Sequence, residues 1–240
     1  MRTWVFIDGH NFDHRLEERG LLPCTWCNFA KLATLLKKQN DIISRILYFT
    51  TEVSERFIAD ANGEVAAQQF WLAAVKTVIP EKDIYYGKYI RPNKRRVEKM
   101  TDTHITMQLL LNMNQFDKVI VISGDMDFWP VYKYLKENGK EVWVYSPDKP
   151  KSTKYHERYI LEDYCRKRNI TFHLLDDKVL RDARFNDIVR DAEGIAVAQC
   201  EERQKLPVTT IKKFNKKRIP PTGRILFQPL KLQKKKTSAC

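Results

Sequence analysis

Four aspartates carry the chemistry that this sequence can do. Asp125 and Asp127 stand two apart in V-I-V-I-S-G-D-M-D-F, Val119 to Phe128. Asp8 closes another apolar run, Trp4 to Ile7, and is followed by Gly9-His10-Asn11. Asp102 opens a helical pattern just before the 119–122 run. A short β-branched run of this kind reads as a buried strand of a parallel sheet. Asp8 and Asp125 therefore leave strand ends, and Asp127 falls in the turn that leads into a helix. In an open α/β sheet, ligands bind at that carboxyl edge.

If the two strands are neighbours, all four carboxylates can converge on one pocket. Like charges that close are unfavourable unless one protonates or a cation neutralises them. Oxygen ligands suit Mg²⁺ or Mn²⁺. An ion held there would activate a water and stabilise the charge that develops on a phosphodiester. Asp102 or Asp127 can alternatively act as base. Ser123 and Asn11 can contact phosphate or orient carboxylates, and Lys99 is a candidate for charge stabilisation. Each aspartate alone is weak, because Asp after a strand is often a helix cap or a turn former. Asp-x-Asp also marks phosphotransferases with an aspartyl nucleophile. Those place the pair after the first strand, where this chain has Asp8-Gly9-His10.

The elements that must position these acids alternate. Strands are expected at Trp4–Ile7, Ile42–Phe49, Ile84–Ile90, Val119–Ile122, Val142–Tyr145 and Ile170–Leu174. Helices are expected from Asn28, as cap, to Leu36, and over Glu64–Val78, Asp102–Asn112, Met126–Asn138 and His156–Lys167. Strand followed by helix argues for a parallel or mostly parallel sheet. Residues 176–200 read as helical or irregular linking material, and 201–240 as a basic tail, either disordered or nucleic-acid binding.

The net charge of +13 is uneven: the tail holds twelve Lys or Arg against two Glu. A basic appendage on a near-neutral domain suggests a polyanion partner. A second basic run, Lys88, Arg91, Lys94, Arg95, Arg96 and Lys99, leads straight into Asp102. Such a loop can hold a phosphodiester backbone; it can equally be a solvated face. Five scattered cysteines are no disulfide framework. The lone Cys24-x-x-Cys27 could join His10 and His14 in a zinc site, but two ordinary cysteines fit better. No run of 18 apolar residues or signal peptide is seen, so a cytoplasmic protein without a membrane partner is expected. A homodimer is a base-rate expectation.

F-I-D-G-H-N (Phe6 to Asn11), the K-x-x-D of Lys99 to Asp102, and S-G-D-x-D-F (Ser123 to Phe128) together resemble the NYN domain, a branch of the PIN-like nuclease superfamily. The resemblance covers roughly residues 1–175. It implies a Rossmann-like, mostly parallel sheet flanked by helices, an Mg²⁺ or Mn²⁺ site made by Asp8, Asp102, Asp125 and Asp127, and RNA, single-stranded or structured, as the molecule cleaved. Where many relatives have K-G-x-D and a second acid six residues on, this chain has K-M-T-D and Gln108. The reading is a metal-dependent endoribonuclease. The alternatives are a non-catalytic RNA-binding or regulatory module on the same fold, another phosphohydrolase, or a nuclease acting on DNA.

Overall fold

A computed structural model describes residues 1–52, 62–90, 97–148, 156–185, 187–190 and 196–199. The chain opens with β1 (Arg2–Asp8), α1 (Gly9–Glu18), α2 (Phe29–Leu36), β2 (Ile42–Glu52), α3 (Asn62–Lys76) and β3 (Ile84–Ile90). It continues with β4 (Val97–Lys99), α4 (Thr101–Leu111), β5 (Lys118–Ile122), α5 (Trp129–Glu137) and β6 (Glu141–Ser146). Then follow α6 (His156–Lys167), β7 (Thr171–Leu174), α7 (Asp177–Asp182), β8 (Asp187–Arg190) and β9 (Ala196–Gln199).

Seven strands form one sheet in the order β4-β3-β2-β1-β5-β6-β7. Every pairing in it is parallel except β3 with β4. This is the expected mostly parallel α/β sheet flanked by helices. The expected strands and helices all form, most with ends shifted by one or two residues. Two details differ. A single turn of 3-10 helix, Met126–Phe128, intervenes between β5 and α5, because Asp125 caps it with its own side chain. The short edge strand β4 pairs antiparallel with β3, Lys88 opposite Lys99 and Ile90 opposite Val97.

Strand periodicity sorts the core into two layers. Val5, Ile7, Ile120 and Ile122 join α1 and α2 through Phe12, Leu16, Phe29 and Leu32. Trp4, Phe6, Val119 and Val121 face α4, α5 and α6 through Ile105, Leu109, Leu135 and Leu161. Full burial of each such side chain stabilises by roughly 1.5–3 kcal/mol. At the amino edge, Lys118 is wholly buried. Its Nζ lies 2.5 Å from Asp41 Oδ2 and 3.3 Å from the centre of the Trp143 ring.

Strands β1, β2 and β3 run outward on one side of the sheet, and β5, β6 and β7 on the other. The order reverses between β1 and β5, which creates the crevice where such sheets bind ligands. Residues 176–200 hold α7 and an antiparallel hairpin of β8 with β9. The basic tail, 201–240, lies outside the described residues, as do Arg91, Lys94, Arg95 and Arg96. No helix among the described residues is long and apolar enough to cross a membrane.

Candidate active site

Asp8 and Asp125 flank the switch point. Asp8 is the last residue of β1, in register with Phe49 of β2. Its neighbour Ile7 is in register with Ile122, the last residue of β5. Asp8 is also the cap of α1: the Asn11 backbone N–H donates to its Oδ1 at 3.1 Å. The turn works because position 9 is glycine. A Cβ there would lie 2.7 Å from the Phe49 carbonyl oxygen and 2.6 Å from the Tyr48 ring.

Short bonds join the two strand ends. The buried Ser123 hydroxyl donates to Asp8 Oδ2 at 2.9 Å, and its oxygen accepts the Asp125 N–H at 3.1 Å. The Gly124 N–H donates to the Asn11 side-chain oxygen at 2.9 Å. The Asp127 N–H donates to Asp125 Oδ1 at 2.8 Å. The Ser123 hydroxyl thus holds Asp8, while the Asn11 side chain holds the Gly124 backbone and its backbone N–H holds Asp8.

Asp8 is 4 % exposed, and among the described residues no cation pairs with it. Burial pushes its carboxyl up to about 7. The bonds from Asn11 and Ser123 pull the other way, and the charges of Asp102 and Asp125 push further. Asp102, in the first turn of α4, is therefore within electrostatic reach of Asp8, although its side chain is exposed. Asp127 is exposed as well. Among the described residues no three His, Cys, Asp or Glu side chains make a closed metal-holding group. The donor set still fits a hard divalent cation. It is all oxygen, its buried member lacks a counter-charge, and Mg²⁺ commonly takes one or two carboxylates and leaves its other positions to water and phosphate.

Lys99 is exposed at the end of β4, paired in register with the exposed Lys88 of β3. Met100, between Lys99 and α4, has φ 82°. This left-handed conformation suits glycine and is rare for a residue with a side chain. Trp129, 37 % exposed, lies against Tyr164 with ring centres 4.8 Å apart. Cys24 and Cys27 are buried free thiols, both raised by burial. Cys27 Sγ donates to the Ala183 carbonyl at 3.8 Å, which ties this loop to the end of α7.

Two acids escaped the sequence reading. Asp148 follows β6 and is buried. It accepts from the Ser146 hydroxyl at 2.6 Å and pairs with Arg15 of α1 at 3.0 Å. A Cβ on Gly124 would lie 2.5 Å from its Oδ2, so this pair backs the S-G-D turn. Its signal was the pattern already seen at Asp8 and Asp125, an acid just past an apolar strand. Asp13 lies on α1, and burial together with the Asp8 charge raises its carboxyl to about 8. Its signal was helical spacing, four residues from buried Gly9 and three from buried Leu16.

A doubly wound sheet with oriented carboxylates at its switch point places the protein among the open α/β folds that bind ligands at that edge. The match is more specific: the NYN domain model fits residues 2–166, and the chain belongs to that family, a nuclease-like one. The chain is also similar to the crystal structure of a protein of unknown function, VPA0982, from Vibrio parahaemolyticus RIMD 2210633. The two are 17% identical, with a TM-score of 0.51 over 73% of this chain and 93% of that one. That likeness supports the fold alone. No curated protein matches the chain.

Proposed function

We propose that this protein is a metal-dependent ribonuclease that hydrolyses RNA phosphodiester bonds. The observation that carries this reading is the relay Asp8–Ser123–Asp125 across the switch point, with Asp102 within electrostatic reach. Asp8, Asp102, Asp125 and Asp127 would hold Mg²⁺ or Mn²⁺. When bound, the ion supplies Lewis acidity toward the phosphoryl oxygen and an activated water. The chain's own residues do the rest. Ser123 and the Asn11 N–H fix both Asp8 oxygens, so the carboxylate does not rotate away from the phosphate. The exposed carboxylate of Asp102 or Asp127 accepts the proton of the attacking water. Exposed Lys99 and Lys88 offer Nζ to the backbone phosphate; Arg91, Lys94, Arg95 and Arg96, which stand between them in the sequence, are the further cations proposed to bind it.

A non-catalytic RNA-binding module is the second reading, favoured by the absence of a closed three-carboxylate group among the described residues. Against it, binding RNA needs no concentrated negative charge. A panel of RNA, DNA and small phosphate esters, each with Mn²⁺ and with EDTA, separates the two. EDTA-sensitive turnover of RNA alone supports the ribonuclease; binding of RNA without turnover of any substrate overturns it.

A further inference from the structure

Beside the acids, on the β2 side of the switch point, lies a cavity of about 290 Å³. We propose that it is a nucleobase pocket that takes one unstacked base of the RNA strand next to the scissile phosphate, a role that rests on the ribonuclease reading above. Its walls include His10 and Asp13 of α1, Trp26, Thr51 of β2, Trp71 of α3 and Tyr89 of β3.

Position comes first. His10 is two residues beyond Asp8, and the Thr51 hydroxyl lies 3.4 Å from that of Thr101, the residue before Asp102. A strand whose phosphate sits among the acids therefore has a base within reach of this cavity.

Size and lining come next. The volume is near the lower end of the roughly 300–1,000 Å³ usual for small-molecule sites, room for a single ring system. Trp26 and Trp71, ring centres 5.2 Å apart, and Tyr89 provide aromatic surface for a planar base.

The decisive feature is polar. Asp13 Oδ1 and Trp26 Nε1 are both sealed from solvent and, among the described residues, have no hydrogen-bond partner. Such buried, unpaired polar groups are rare enough to need a reason. The Trp71 indole N–H, in the same wall, is already engaged by the Tyr48 hydroxyl at 3.0 Å. A base edge presents donors and acceptors side by side and would satisfy Asp13 and Trp26 together. Single-stranded RNA gives up a base to a pocket at little cost.

The test uses the full chain in EDTA, so that nothing is hydrolysed. AMP, GMP, CMP, UMP and ribose 5-phosphate are titrated while tryptophan fluorescence is followed. We expect one nucleotide to bind at least about fivefold more tightly than ribose 5-phosphate, about one hydrogen bond's worth. Asp13→Asn, which keeps shape but replaces a carboxyl that can ionise with an amide that always presents two N–H donors, should change the order of preference. Trp26→Phe, which keeps the ring but loses the N–H, serves as a second probe should Asp13→Asn not fold. Equal binding of all five ligands, or an order that neither variant changes, overturns the pocket. Mapping cut sites on a random RNA pool separates this failure from failure of the enzyme reading. Cleavage at every junction alike keeps the ribonuclease and removes the pocket. Selective nucleotide binding without cleavage keeps a nucleotide site and removes the ribonuclease.

Discussion

Ser123 donates its hydroxyl to the Asp8 carboxylate at 2.9 Å, and through that bond the ends of β1 and β5 become one site. The bond holds a buried carboxyl whose other partner is a backbone N–H from its own helix. We predict that Ser123→Ala lowers kcat about tenfold, roughly 1.4 kcal/mol of barrier, with the fold intact by circular dichroism. An unchanged kcat would remove Ser123 from the site.

Met100 occupies a left-handed conformation two residues before Asp102. The strain of a side chain there is about 1–2 kcal/mol, so Met100→Gly should raise stability by about 1 kcal/mol once glycine's larger unfolded-state entropy is set against it. Urea unfolding measures this. A loss of stability would show that the Met100 side chain contributes packing that outweighs the strain.

Asp13 should make stability depend on pH. Its carboxyl is raised from 3.8 to about 8, chiefly by burial. The folded chain keeps a proton there that the unfolded chain releases near pH 4. Stability is therefore fullest below about pH 4, falls as pH rises through about 8, and levels off above. Asp8, raised to about 7, adds to the same slope. Asp13→Asn should flatten part of it and gain about 1–3 kcal/mol at pH 8 over wild type, with little gain at pH 4. Urea midpoints of both proteins at the two pH values in EDTA check this; parallel profiles would contradict it.

At the other edge of the sheet, Lys118→Ala leaves Asp41 buried without its cation. The expected cost is about 3–5 kcal/mol, with no direct effect on the catalytic edge. The double variant Lys118→Met, Asp41→Asn should recover part of it. Unfolding curves that rank the double variant below the single one would refute this assignment.

Much of this architecture was legible in the chain because its signals were local. The apolar run Val119–Ile122 and the acids after it place β5 and its turn, and Asn28 does cap α2, accepting the Lys31 N–H at 3.0 Å. That β1 lies beside β5 was only a condition in the sequence, since pairing between residues so far apart leaves no local mark. Asp13 and Asp148 went unnoticed for another reason. Their importance comes from burial against Trp26 and Arg15, partners supplied by other elements. The hairpin of β8 and β9 was hidden by its brevity, four residues in each strand.

The most direct measurement is cleavage of end-labelled single-stranded RNA by the full chain with Mn²⁺ or Mg²⁺. It is run beside the Asp125→Asn, Asp127→Asn double variant and an EDTA control. We predict discrete cuts by wild type, none by the double variant, and none in EDTA. Cutting that survives the double substitution or EDTA would contradict the carboxylate site, and tight RNA binding without any cutting would contradict the ribonuclease.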